Sequence, residues 1–325
     1  MKDQPRVCIF GAGAIGAYIG AELYRAGVNV SLVARGAHLA AMQAHGVRLQ
    51  IDGEERTAHP ICTDAPTELG VQDYLIIALK AHAISDAVDS MAPLLGTQTC
   101  IVTASNGLPY WYFYGADRTP KHMTLEAVDP GRKQWDRLGP ERAVGCVVFP
   151  ATEVVAPGVV RHEHGRKFPI GEPRGERSAR IEQLHELLTQ AGLDAPIRDD
   201  IRDEIWLKLW GNLCFNPVSA LTHATVDAVA SDPETRAICR SMMAEAKAIG
   251  ERLGLRLRVD AERRIDGMGA LGPHKISMLQ DLERGRSMEI EPLVGVVQEL
   301  GRLLDMPTPT IDVVLALMRQ RARYS

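Results

Sequence analysis

Along the first part of the chain, short runs of consecutive apolar residues alternate with segments of helical period. Val7–Phe10 reads as a strand, Ala14–Ala26 as a helix and Val28–Val33 as a second strand. Tyr74–Leu79 and Cys100–Ala104 are continuous apolar runs, the pattern of parallel strands buried on both faces. His82–Leu95 between them predicts a crossover helix. Ala143–Phe149 reads as a further strand, and Val154–His162, with Pro157-Gly158 inside it, as a hairpin. Ser178–Ala191 has helical period and stops at Gly192, a residue suited to the left-handed position after a helix. A β-α-β rhythm of this kind predicts a doubly wound parallel sheet.

After Ile197 the strand signals cease. From Asp200 to Arg323 the period is helical, broken at Pro233, at Gly267–Pro273 and at Met306–Pro309. The fold class expected is therefore α/β: an N-terminal doubly wound sheet over residues 1–198, then an all-helical C-terminal domain over residues 199–325. A chain of 325 residues has room for both, at roughly 100–200 residues per domain. Glu291–Leu304 carries Leu293, Val296, Val297, Leu300, Leu303 and Leu304 at helical spacing, a stripe that suits a monomer core or a homodimer equally.

Composition changes this picture little. A formal net charge of −4 gives no reason to expect a nucleic acid or an anionic membrane as partner. The uncharged stretch Val7–Ala21 follows Lys2 and Arg6, but it holds Gly11, Gly13, Gly16 and Gly20 and runs into Glu22. That is a strand, a turn and a helix, where a signal peptide would have a compact apolar block. Cys8, Cys62, Cys100, Cys146, Cys214 and Cys239 are widely spaced with no C-x-x-C pair, so no metal is expected and reduced thiols in the cytoplasm are the default. Arg161-His162-Glu163-His164 resembles a metal pair but has no third ligand nearby and reads as an exposed hairpin.

The first strand runs directly into Gly11-Ala12-Gly13-Ala14-Ile15-Gly16, followed by a helix and a second strand. In that context the glycine pattern is a Rossmann-type dinucleotide turn. Gly11 serves the tight turn, Gly13 lets backbone approach a pyrophosphate, and Gly16 allows close helix–strand packing. An NAD site places an acid about 20 residues further on to hold the ribose 2′-hydroxyl. Here Ser31-Leu32-Val33-Ala34-Arg35-Gly36 offers no acid, and Arg35 suits the 2′-phosphate of NADP, unless it is simply a solvated surface residue.

Glu204–Pro217 carries the sharper signal. Lys208, Asn212 and Asn216 follow i, i+4, i+8 spacing and share one helical face among Ile205, Trp206, Leu209, Trp210, Leu213 and Phe215. Polar groups in such surroundings need partners, and a small 2-oxo acid supplies carbonyl and carboxylate oxygens. A solvated polar stripe is the plain alternative.

These residues resemble the signature helix E-x-W-x-K-x-x-x-N-x-x-x-N-P of the ketopantoate reductase family at every fixed position. Leu79-Lys80-Ala81, Ser105-Asn106-Gly107, Ser277-Met278-Leu279-Gln280-Asp281 and Glu289-Ile290-Glu291 resemble further family segments in the same order. The resemblance spans Val7 to about Pro309. It implies NADPH-dependent reduction of 2-dehydropantoate (ketopantoate) to pantoate, on the way to pantothenate and coenzyme A. It also implies that Lys208 protonates the 2-oxo oxygen, with its pKa lowered by burial, and that Asn212, Asn216 and Ser277 hold substrate oxygens. Lys80 and Asn106 would touch the cofactor, Asn106 also the substrate, and Glu289 would orient Lys208 or bind a hydroxyl; Glu289 could equally be a first-turn helix residue.

Two departures bear on the substrate. Five consecutive aromatics, Tyr110–Tyr114, follow the Asn106-Gly107 turn, and an extra segment runs from about Gly115 to Pro140. The aromatics, Trp111 among them, either wall the substrate pocket or anchor the inserted loop to the core or to a second subunit. His274 stands where the best-known members of the family carry Asn. A reductase of another 2-oxo acid, or a dinucleotide sensor without catalysis, are the alternatives these features leave.

Overall fold

The computed structural model describes residues 4–116, 123–257 and 259–324. Part of the insertion expected between Gly115 and Pro140, residues 117–122, lies outside the described residues. Eleven strands among the described residues form two sheets. The first four are β1 (Arg6–Phe10), β2 (Asn29–Val33), β3 (Val47–Ile51) and β4 (Glu54–Ala58). Next come β5 (Ile61–Thr63), β6 (Tyr74–Ile77), β7 (Cys100–Thr103) and β8 (Ala143–Cys146), then β9 (Ala151–Ala156), β10 (Val159–His164) and β11 (Ile170–Gly171).

The larger sheet has the order β11-β8-β7-β6-β1-β2-β5, parallel throughout except where β11 runs antiparallel to β8. β6 and β7 are buried at every position, which is why they read as unbroken apolar runs. The chain leaves β1 toward β2 and β5, then returns to β6 on the other side. This reversal of direction creates the crevice beyond the carboxyl ends of β1 and β6 where ligands bind in such sheets. The α/β class expected from the sequence is the one observed.

A second, four-stranded sheet, β4-β3-β10-β9, was not foreshadowed. The hairpin expected at Val154–His162 forms as β9 and β10, and β10 then pairs in parallel with β3, Val159 opposite Arg48. The helices of this part are α1 (Ala14–Arg25), α2 (Gly36–His45), α3 (Ile84–Ala87), α4 (Lys133–Leu138) and α5 (Ala179–Gln190). α1 packs against strands of both sheets.

In the sheet-bearing part, two segments differ from what their sequence predicts. His82–Leu95 is not one helix: 3-10 turns at Ala81–Ala83 and Val88–Leu94 flank the short α3, with Pro93 inside the second. A proline lacks the N–H that an α-helix interior requires. The strand expected at Ala143–Phe149 ends at Cys146, although Val147 and Phe149 still donate to Pro169 and Lys167.

The C-terminal part is helical: α6 (Ile201–Thr222), α7 (Val226–Ser231), α8 (Pro233–Arg252), α9 (Ala261–Gly269), α10 (Ser277–Glu283), α11 (Val296–Leu303) and α12 (Pro309–Arg323). Pro233 opens α8, where its missing N–H costs nothing, and Asp232 caps the helix by accepting from Glu234 and Thr235. Glu291–Leu304, with its apolar residues at helical spacing, begins as a π-helical turn, Glu291–Gly295, and continues as α11. The chain groups into two compact units. One holds the chain up to Ser105, Pro109–Ala116 and Arg132–Ile201; the other holds Asn106–Leu108, the stretch ending at Gly131, and the chain from Arg202.

Candidate active site

In the sheet-bearing unit, β1 ends at Phe10 and the chain turns through Gly11-Ala12-Gly13 into α1. The N–H groups of Gly11 and Ala12 donate to the Val33 carbonyl at 3.1 and 3.0 Å, pinning the turn to the end of β2. A Cβ on Gly16 would lie 2.1 Å from the Gly11 carbonyl oxygen, so no side chain fits there. Gly13 is different: nothing lies within 4 Å of where its Cβ would be. Ala14, Ile15 and Gly16 open α1, and the first N–H groups of a helix have no partner inside it.

This turn borders a cavity of about 470 Å³, lined also by Arg35, His38, Asp64 and Asp86. Arg35 is the exposed residue preceding α2, and among the described residues its guanidinium has no hydrogen-bond or ion-pair partner. Lys80 is half-buried after β6 and does not line this cavity. His38 escaped the sequence reading; only the fold brings it back over the turn, where its ring meets the Ala12 carbonyl at 2.8 Å.

In the helical unit, α6 carries Lys208 and Asn212 half-buried, and Asn216 only 1 % exposed. Lys208 Nζ donates to Asn106 Oδ1 at 2.8 Å, and Asn106 Nδ2 donates to Glu289 Oε2 at 3.0 Å. Only one amide orientation works, because an ammonium can only donate and a carboxylate can only accept. Asn106 thus joins the lysine to a glutamate that is itself buried. Gly107 makes this possible: its φ is 84°, and a Cβ there would stand 2.6 Å from the Pro292 carbonyl oxygen in the π-helical turn. The turn is thereby held against the segment that carries Glu289.

Asn216 is the unexplained member. Both its amide nitrogen and its amide oxygen are buried without a hydrogen-bond partner among the described residues. Such groups are rare and mark a ligand, a water or a strained site. Ser277, at the first position of α10, is exposed and makes no hydrogen bond with any of these residues among those described. The carbonyl of His274 accepts from Val226 N–H.

The aromatic run packs into the protein interior. Tyr110, Trp111, Tyr112 and Phe113 are all buried, Trp111 completely. The Trp111 Nε1–H donates to Thr103 Oγ1 on β7 at 3.1 Å, and its ring covers Gly145 on β8, where a Cβ would lie 2.9 Å away. These side chains are core of the sheet-bearing unit. Among the described residues, no three His, Cys, Asp or Glu gather as a metal site, and no helix is long and apolar enough to cross a membrane.

A doubly wound sheet with a glycine turn at its reversal point, followed by a helical unit, defines a Rossmann-type protein of two-part build. Residues 7–175 match the family described as ketopantoate reductase PanE/ApbA, and residues 200–322 match its C-terminal domain. The chain belongs to the ketopantoate reductase family, a family of oxidoreductases. It is 57 % identical to the 2-dehydropantoate 2-reductase of Mesorhizobium japonicum, over 98 % of both chains. A solved structure from Ralstonia solanacearum MolK2 superposes with a TM-score of 0.94 at 41 % identity, covering 99 % of each chain. The 2-dehydropantoate 2-reductase of Geobacter metallireducens GS-15 gives 0.85 at 28 % identity, covering 97 % of this chain and 99 % of its own.

Proposed function

We propose that this protein reduces 2-dehydropantoate to pantoate with NADPH, a cytoplasmic step toward pantothenate and coenzyme A. The observation that carries the reading is the chain Lys208–Asn106–Glu289, on the residues matching the family's signature segments. Similarity to relatives named 2-dehydropantoate 2-reductase supports the substrate. The cavity at the glycine turn fits a dinucleotide, because Gly13 borders open space and Arg35 is a cation whose guanidinium has no partner among the described residues. Bound there, NADPH supplies the hydride.

The remaining work falls to side chains. Lys208 hydrogen-bonds the 2-oxo oxygen and gives it a proton as negative charge develops. Asn106 and Glu289 hold the ammonium in place, so that the lysine does not have to be ordered as the reaction proceeds. Asn212, Asn216 and Ser277 hold substrate oxygens without adding charge, which gives the orphaned Asn216 Nδ2 an acceptor, while its Oδ1 would accept from a substrate hydroxyl or a water. Lys80 and Asn106 contact the cofactor. Arg35 pairs with the 2′-phosphate that distinguishes NADPH from NADH.

Burial of Trp111 supports a scaffold role for the aromatic run, and so favours 2-dehydropantoate over another 2-oxo acid. Steady-state oxidation of NADPH and NADH against a panel of 2-oxo acids tests the proposal. The highest kcat/KM is expected for 2-dehydropantoate with NADPH, and a clear preference for another acid would refute the substrate.

A further inference from the structure

His38 lies in the first turn of α2 and shares the cavity with Arg35. Both ring nitrogens are engaged: Gly158 N–H donates to Nδ1 at 3.0 Å, and Nε2 faces the Ala12 carbonyl oxygen at 2.8 Å. A backbone N–H can only donate and a carbonyl can only accept, so Nδ1 is bare and Nε2 carries the proton. Burial holds the imidazole pKa below its ordinary value, against the smaller opposing effect of the Ala12 carbonyl, and so favours this neutral form.

The Ala12 carbonyl belongs to the peptide that joins Ala12 to Gly13. In a trans peptide the C=O and N–H point in opposite directions, so anchoring the oxygen on His38 turns Gly13 N–H away from the ring. The N–H groups of Gly11 and Ala12 are already committed to Val33. Gly13 is the first residue of the turn whose N–H is not, and it borders open space. On its other side His38 leans on the tip of the β9–β10 hairpin. Gly158, at φ 72°, sits so close to α2 that a Cβ would lie 3.0 Å from the Cβ of Ala41.

We propose that His38 is a positioning residue for the dinucleotide. It fixes the Ala12–Gly13 peptide so that Gly13 N–H meets the pyrophosphate, and it uses the hairpin of the second sheet as its support. The inference rests on the proposed use of this cavity by a nicotinamide dinucleotide. The pyrophosphate is common to NADPH and NADH, whereas Arg35 reads a group that only NADPH has. Loss of His38 therefore weakens both cofactors alike, unlike loss of Arg35.

Dissociation constants for NADPH and NADH, measured by nucleotide fluorescence on wild type, His38→Ala, His38→Gln and Gly158→Ala, test this. His38→Ala is expected to weaken both dinucleotides by a similar factor, about 3- to 10-fold for the hydrogen bonds lost. His38→Gln recovers much of the loss, since an amide offers both donor and acceptor atoms. Gly158→Ala weakens both without touching the cavity lining.

The other charged groups lining the cavity are Arg35, Asp64 and Asp86, and Gly158 and Ala12 bring none. As pH falls through the lowered pKa of His38, a proton on Nδ1 would confront the Gly158 N–H. Wild-type affinity for NADH then declines while that of His38→Gln stays flat; NADH lacks the 2′-phosphate, whose own ionisation near pH 6 would intrude. If His38→Ala fails to fold, the His38→Gln comparison and the pH profile still decide. Unchanged NADH affinity in the His38 variants with a flat wild-type profile, or a loss confined to NADPH, overturns the proposal and leaves the cofactor reading standing. Wild type binding neither dinucleotide overturns both.

Discussion

Replacing Asn106 with Ala removes a side chain that touches both Lys208 and Glu289. Each of its two bonds joins a neutral amide to a charged group, and such bonds contribute about 1.5–3 kcal/mol. Lys208 is half-buried, so water can replace part of what it loses; Glu289 is 6 % exposed and has little such recourse. Taking about 3 kcal/mol as the net effect on the transition state gives a fall of about 10²-fold in kcat/KM. If Asn106 transmits the influence of Glu289 to the lysine, the two residues must be coupled. A double-mutant cycle with Glu289→Gln should then show a coupling of at least about 1 kcal/mol, within the usual range for residues in one network. The assay is NADPH oxidation at saturating cofactor, with thermal melts to show that each variant is folded. Additive losses would mean that Asn106 and Glu289 act separately, and the relay would be wrong.

Arg35→Ala should weaken NADPH by about 10- to 150-fold and leave NADH nearly unchanged in binding titrations; equal loss for both would remove the 2′-phosphate assignment. Trp111→Ala should cost about 3–5 kcal/mol of stability, seen as a lower denaturation midpoint, and leave the ranking of 2-oxo acids as in wild type. A changed ranking at preserved stability would return the aromatic run to the pocket. All six cysteines are free and buried, and burial pushes the thiols of Cys8 and Cys100 up to about 12 and that of Cys62 to about 11. The native protein should resist alkylation at pH 8 and expose six reactive thiols on unfolding; fast labelling of the folded protein would contradict this.

The parts of the fold that could be read in advance are those whose signal is local. β1, the glycine turn, α1 and β2 form one unbroken pattern of apolar run, glycine spacing and helical period, and they fold as written. α6 was legible because Lys208, Asn212 and Asn216 repeat at the helical interval. The second sheet was not, because its central pairing joins Val159 to Arg48, and neither segment alone says which strand it will meet. The crossover differs because its apolar spacing suits a helix, but Pro93 lies inside its second half, where an α-helix would need the N–H that proline lacks. In the site, residue types were legible and relations were not. Asn106 and Glu289 stood out as separate polar residues, and nothing in their spacing revealed that Asn106 would sit between Glu289 and Lys208. His38 gave no signal, since a histidine in the first turn of a helix is ordinary until the hairpin behind it is known.

Single-turnover reduction of 2-dehydropantoate by enzyme preloaded with NADPH, compared between wild type and Lys208→Ala, tests the central claim most directly. The variant should fold, bind NADPH with wild-type affinity and react about 10²–10⁴-fold more slowly, the usual contribution of a positioned proton donor. Turnover above about a tenth of the wild-type rate would contradict the role given to Lys208.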